Sequence, residues 1–343
     1  MDISIFSWNV QGCGHQRFIP AAKQFLRDYK PDIVLMVEPR VSGLRAERFI
    51  AAMGFPHSHR VEAVGFAGGI WIAWWDTVAL DIIINHFQFV HFRVTVKKSG
   101  FSFLSTAIYG SPCSTKRKRL WANLHRLATT TRSPWILFGD FNTTLLDNER
   151  KGCAASSKPS PAFKDLLYDH GLRDMGYSGL DYTWTRDNAY VRLDRFICNS
   201  YWDSEFHDSH VEHLLRVGSD HRPILLSVGP PTRKSCPSSF RYFSGWQQHP
   251  HFPRLIRDNW QPSTSLADSL STLSKAVEIW NKNVFGSIGA RKRIIMARLR
   301  GVQKALSTRA STCLRRLEAD LLCELEHWLD QEELLWKQKS QAD

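Results

Sequence analysis

The sequence predicts an α/β fold, a pair of sheets with helices outside, followed by an all-α extension. Three observations carry this expectation. Short runs rich in Ile, Val, Phe and Trp alternate with helical stretches along the first 229 residues. Consecutive apolar runs from 69 to 109 leave no room for crossover helices and so form antiparallel meanders, whereas helical stretches at 17–29 and 115–130 mark crossovers. Beyond residue 240 the strand signal stops and the apolar period becomes helical.

In order, strands are predicted near 3–9, 32–38, 69–75, 78–84, 88–96, 101–109, 135–140, 181–185, 191–198 and 222–228. Helices are predicted near 17–29, 43–53, 115–130 and 161–170. The segment GPPTRKSCPSS, rich in Pro and Ser and without periodicity, reads as a linker over 230–240. This divides the chain into a first domain over 1–229 and a helical extension over 241–343. Helices are expected there at 264–282, 288–308 and 311–339. In the last, Leu314, Leu317, Leu321, Leu325, Trp328, Leu335 and Trp336 form an amphipathic stripe. The last two helices suit an antiparallel hairpin.

Composition narrows the classes. The chain has 343 residues, 43% of them hydrophobic, with 20 Phe, which is ample for a core. The net charge of +12 fits a polyanionic partner. Residues 230–343 carry +7 of it and residues 1–229 carry +5. The seven cysteines form no CxxC pair and no zinc spacing, so reduced thiols inside a cell are expected rather than a disulfide scaffold. Asp2 stands where a signal peptide would carry positive charge, and no apolar run is long enough to span a membrane.

Polar residues close the apolar runs with unusual regularity. Asn9 ends ISIFSWN, Glu38 ends DIVLMVE and Tyr109 ends FSFLSTAIY. Asp140 and Asn142 follow WILFG, Asp194 lies in YVRLDRFIC, and Asp220-His221 opens into RPILLSV. Such placement assembles one site on the rim of a sheet. Its carboxylates, amides and histidine suit a hard divalent cation and phosphate-ester hydrolysis. Bland readings stand beside these. Glu38 would be a surface acid before Pro39, Asp140 and Asn142 an Asx turn, Asp194 an ion-pair partner of Arg192 or Arg195, His221 a core histidine, and Tyr109 an ordinary strand residue. His207, His210 and His213 have metal-like spacing but no accompanying acid or cysteine pattern, and read as a solvated helix or loop.

The order Trp8-Asn9, Glu38, Tyr109, Gly139-Asp140-Phe141-Asn142, Thr183-Trp184, Arg192-Leu193-Asp194-Arg195 and Ser219-Asp220-His221 resembles the endonuclease/exonuclease/phosphatase superfamily. Within it, the nearest resemblance is to the apurinic-type endonuclease domain of plant non-LTR (LINE-type) retrotransposons. The segments FRYFSGWQQHPHF, WNKNVFG and LEHWLDQEELLWKQKS resemble the stretch joining that domain to the reverse transcriptase. The resemblance implies a four-layer α/β/β/α sandwich and metal-dependent nicking of DNA that leaves a 3′-hydroxyl. It implies Mg²⁺, with Mn²⁺ as an alternative, held by Glu38, Asn9 and Asp220. Asp140 and Asn142 would orient or deprotonate water, while Asp194 and His221 stabilise the phosphate. Tyr109 would hydrogen-bond a phosphate oxygen.

Nucleic-acid contacts are expected from Lys116 and Arg117, Arg186 in the RDNAY hairpin, Ser219, Thr183, and Arg291 and Arg293. A longer product carrying a reverse transcriptase and a nuclear location follow from the same resemblance. Two other readings remain open at this level: a phosphomonoesterase of the same superfamily, or a non-enzymatic remnant that binds nucleic acid or a partner.

Overall fold

The computed structural model describes residues 3–14, 18–63, 68–152, 159–228, 243–260, 266–281 and 288–340. The expected linker at 230–240 lies outside them. The chain divides into two compact units, Met1–Pro231 and Thr232–Asp343.

In the first unit the chain runs β1 (Ile3–Asn9), α1 (Phe18–Tyr29), β2 (Ile33–Val37), α2 (Gly43–Met53), β3 (His57–Val61) and β4 (Ile70–Trp74). It continues through β5 (Val78–His86), β6 (Phe89–Val96), β7 (Ser102–Tyr109), α3 (Ser114–Thr130) and β8 (Trp135–Asp140). There follow β9 (Arg150–Lys151), α4 (Pro161–Asp169), β10 (Arg173–Asp174), β11 (Ser178–Gly179), β12 (Trp184–Arg186) and β13 (Ala189–Val191). Last come β14 (Asp194–Cys198), α5 (Ser200–Glu205), β15 (His210–His213) and β16 (Ile224–Val228).

Among the described residues, one sheet is ordered β11-β15-β16-β1-β2-β4-β3 and a second β10-β14-β8-β7-β6-β5. Both crossovers inferred from the sequence are present. Helix α1 joins the parallel pair β1–β2, and α3 joins the parallel pair β7–β8. The β5–β6–β7 meander is antiparallel.

Two apolar layers explain why sheets and helices stack as they do. Between the sheets lie Ile5, Leu35, Val90, Phe92, Phe138, Phe196 and Leu226, with Phe138 and Phe196 stacked at 5.3 Å. Outside the second sheet, Trp121 and Leu124 of α3 and Phe163 of α4 cover Ile108 and Leu137. Outside the first, Phe18 and Phe25 of α1 pack on Trp8 at 5.8 and 5.6 Å. Burying aromatic area of this kind stabilises by about 25 cal/mol per Å² removed from water. The result is the four-layer α/β/β/α sandwich expected from the sequence.

Several elements depart from expectation. The predicted strand at 191–198 is two strands, because Arg192 and Leu193 leave the ladder between β13 and β14. The predicted strand at 181–185 begins only at Trp184 and joins β13 and β9 in a small third sheet. His210 and His213 lie in β15, not in a helix or loop. His213 is buried, donates from Nδ1 to the Leu180 carbonyl at 2.6 Å and stacks on Tyr177. Polar residues hid this strand, whose pairing with β16 supplies its stability.

The second unit contains α6 (Phe252–Asn259), α7 (Leu266–Trp280), α8 (Ile288–Thr308) and α9 (Thr312–Ser340). Phe243, Trp246, Phe252, Val277 and Trp280 form its aromatic core, with Trp328 of α9 packed against it. Helices α8 and α9 run antiparallel, since Lys292 meets Glu332 at 2.7 Å and Gln303 meets Glu318 at 2.9 Å. No helix among the described residues is long and apolar enough to cross a membrane.

Candidate active site

Neighbouring strands end together, and this gathers the polar residues. Tyr109 and Asp140 are partners at the ends of β7 and β8, and Asp194 opens β14 directly across from Asp140. Gly139 permits this crowding. It sits at φ +132°, and a Cβ there would lie 2.1 Å from the Ile108 carbonyl oxygen. The glycine of the GDFN motif is therefore sterically required.

Asp140 is fully buried and held by amides. Asn9 Nδ2 donates to it at 2.9 Å, the Asn142 backbone N–H at 2.8 Å and Asn142 Nδ2 at 3.1 Å. Asn142 reaches it through an Asx turn at φ +50°, not by continuing the strand. The turn reading of this pair is thus what the geometry shows. Burial raises the Asp140 carboxyl, and the neighbouring Asp194 adds to this, to about 7.

His221 Nδ1 lies 2.9 Å from Asp194 Oδ2, and both side chains are buried. Burial opposes charge on the imidazole, but Asp194, helped by Asp140 and Asp220, outweighs it and lifts His221 to about 9. The pair is therefore an imidazolium–carboxylate dyad at neutral pH. Ligand atoms of Asp140, Asp194 and His221 lie within 4.8 Å of one another, spacing that could hold a metal ion. An imidazolium whose Nδ1 already serves Asp194 is a poor ligand, which favours the dyad reading of this group.

Glu38 stands at the end of β2 with φ +54°. Its Oε1 accepts from the Tyr109 hydroxyl and its Oε2 from Arg40 at 2.6 Å. Gln11, Glu38, Arg40 and Asn142 are all non-glycine residues with φ between +50° and +56°. Strain of about 1–2 kcal/mol at each such position, gathered around one cleft, is the pattern of a functional site. The cleft itself measures about 930 Å³ and is lined by Asn9, Glu38, Arg40, Asn142, Arg186 and His221, among others.

Not every expected residue joins this set. Asp220 turns its Oδ2 to Trp184 Nε1 at 3.0 Å and to Arg186 at 3.3 Å, and no hydrogen bond links it to Glu38. Its Oδ1 is buried without a hydrogen-bond partner. Arg186 lines the cleft and is exposed. Arg117 also lines it but is tied to the Ser111 and Pro112 carbonyls, while Lys116 is exposed on α3.

Ser219 donates to the Asn9 carbonyl and accepts from the His221 N–H, so its hydroxyl braces the site. Thr183 is fully buried, so its hydroxyl supports neighbouring backbone and does not reach a bound phosphate directly. Its Oγ1 accepts from the N–H groups of Leu193 at 2.9 Å and Asp194 at 3.0 Å. Arg291 and Arg293 belong to the second unit, where Arg291 lies over the Trp328 ring.

Sequence reasoning missed Arg40, although its place two residues after Glu38 was visible. It also missed a buried network in which Arg195 and Arg192 pair with Glu149 and Asp174 at 2.7–3.1 Å. These arginines do not pair with Asp194, which leaves that acid to His221.

Comparison with known proteins agrees with this architecture. The AP endonuclease LMAP from Leishmania major superposes with a TM-score of 0.53 at 14% identity, covering 67% of this chain and 88% of that one. The 3'-5' exonuclease NExo from Neisseria meningitidis gives 0.49 at 20% identity, covering 66% and 99%. The endonuclease domain of TRAS1, a telomere-specific non-LTR retrotransposon, gives 0.49 at 14% identity, covering 66% and 98%. No curated protein matches the chain. At 14% identity the likeness to LMAP speaks to fold alone. The model of the Endonuclease/Exonuclease/phosphatase family matches residues 6–221, well over half of the sequence, and the chain therefore belongs to that family.

Proposed function

We propose that this protein is a divalent-metal-dependent endonuclease that nicks DNA, derived from a non-LTR retrotransposon. The observation that carries the proposal is the convergence of a buried carboxyl held by two amides and a buried histidine paired with a second carboxylate. Asp140, lifted towards neutrality, faces the same centre as the His221–Asp194 dyad, which holds its proton. A base and a fixed positive donor side by side suit hydrolysis of an anionic phosphodiester.

Asp140 accepts the proton of the attacking water, with Asn9 and Asn142 fixing the carboxylate. The water oxygen bonds to phosphorus and the bond to the 3′ oxygen breaks; the 3′ oxygen leaves with the bonding pair and takes a proton from solvent, giving a 3′-hydroxyl and a 5′-phosphate. His221, its Nδ1 proton directed at Asp194, presents Nε2–H to the charge growing on the phosphate. Tyr109 holds Glu38.

Enzymes of this family depend on a divalent metal. The donors here fit one: Glu38 offers hard oxygens and its pairing with Arg40 shows that it attracts a cation, Asp220 has a buried oxygen without a hydrogen-bond partner, and Asn9 Oδ1, which accepts from the Gln11 N–H at 3.0 Å, keeps a second lone pair. Glu38, Asn9 and Asp220 would hold the ion, Mg²⁺ or Mn²⁺. When bound, it supplies positive charge beside the phosphate. Retrotransposon origin rests on the resemblance of segments in 241–343 to the stretch preceding a reverse transcriptase. Such an element product works on nuclear DNA.

Plasmid nicking tests the reading, run with Mg²⁺ and with EDTA beside a phosphomonoester substrate. Mg²⁺-dependent conversion of supercoiled to open-circular DNA is the expected result. Turnover of the monoester alone would show a phosphomonoesterase instead. No turnover of either would show a binding remnant.

A further inference from the structure

The second unit separates its charges. From Ile279 to Leu317 the chain carries ten Lys and Arg and no Asp or Glu. The structure sorts these cations. At the N-terminal end of α8 they are engaged: Lys292 is buried against Glu332, and Arg291 lies over Trp328. Towards the turn between α8 and α9, four others are not matched in this way. Arg298, Lys304, Arg309 and Arg316 are exposed and make no ion pair among the described residues. Glu318, the first acid of α9, is buried and accepts from Gln303. Asp320 is the next.

We propose that this α8–α9 tip is a second nucleic-acid surface, which grips the phosphate backbone of duplex DNA without reading its sequence. Cations spread over helix faces meet successive phosphates and release counterions, and they carry no base code. No large hydrophobic side chain is exposed between Arg298 and Arg316, so the tip lacks the apolar anchors that a lipid surface would need. The choice of DNA rests on the proposed function. The basic tip itself stands on its own geometry.

The test uses the full chain in EDTA, so that binding is read without turnover and a chain that never nicks still reports. Fluorescence anisotropy follows two labelled duplexes of unrelated sequence over a salt series. K304Q/R309Q/R316Q is expected to bind both duplexes at least about tenfold more weakly and to flatten the log K against log salt slope by about 2–3. R309Q alone should flatten it by about 0.9. R93Q/K97Q/K98Q removes the same charge from exposed positions in and after β6 and should leave the slope unchanged. Wild-type binding by the triple variant, or equal loss in the β6 control, overturns the proposal. So does tighter binding of single-stranded RNA, or a triple-variant defect seen only on anionic vesicles.

Discussion

Thr183→Val removes one oxygen at nearly constant volume, and the structure says what that oxygen does. Thr183 Oγ1 accepts from two backbone N–H groups, that of Leu193, which is half-buried, and that of Asp194, which is buried. In valine both donors lose their acceptor. A buried unsatisfied donor costs about 1–3 kcal/mol, so the pair should cost about 2–4 kcal/mol. For a domain of this size that lowers the melting temperature by about 5–15 °C. Because one of the two donors belongs to Asp194, the dyad should also lose its placement. Nicking is then expected to fall about tenfold or more in kcat, with KM little changed. Thr183→Ser keeps the oxygen and should recover most of both losses. The assay pairs melting by circular dichroism with nicking below the lowest melting point. If the valine variant melts and nicks like wild type, or if serine fails as badly as valine, the clamp is wrong.

His221→Ala should cut nicking by about a hundredfold or more while DNA affinity stays near wild type, since its charge acts in the transition state. Asp194→Asn should cost less, and normal nicking by both folded variants would remove the dyad from the mechanism. Glu38→Gln is expected to weaken Mg²⁺ binding in calorimetry and to slow nicking by about tenfold, or roughly 1.4 kcal/mol; unchanged metal affinity would exclude Glu38 as a ligand. Burial depresses His91 to about 4, so the folded state refuses a proton that the unfolded chain takes at about 6.5. Stability is then complete above pH 6.5 and is lost as pH falls towards 4, by about 2 kcal/mol between pH 7.5 and 5. His91→Gln should flatten that part of the melting curve against pH, and an unchanged slope would show that His91 titrates normally.

The site was legible in the sequence where strand ends are legible. Asn9, Glu38, Tyr109 and Asp140 each close a largely apolar run, and a polar residue at such an end is placed at the rim of the core. Asp194 and His221 needed the resemblance, because nothing in their local spacing says that they meet across 27 positions. Arg40 was hidden for another reason. Its approach to Glu38 depends on left-handed backbone at both residues, a conformation that side-chain pattern does not encode. The Glu149–Asp174–Arg192–Arg195 network was equally invisible, since buried ion pairs join residues that only tertiary structure brings together. The strands at 57–61 and 210–213 were missed because their polar sequences take their stability from pairing with β4 and β16.

The strand that opens the sandwich is paired by the strand that completes it. Ile3 faces Val228 in the β1–β16 ladder, and Ser219 braces Asn9 across 210 positions. During synthesis, β1 leaves the ribosome with one edge waiting for a partner made more than two hundred residues later. Asn9, Asp140 and Asp194 are all translated well before His221, and until His221 follows them the dyad has no second member. A nascent chain therefore lacks the assembled cleft until nearly the whole first unit has emerged. A message cut short anywhere before that point yields a fragment in which Asp194 has no His221 to pair with.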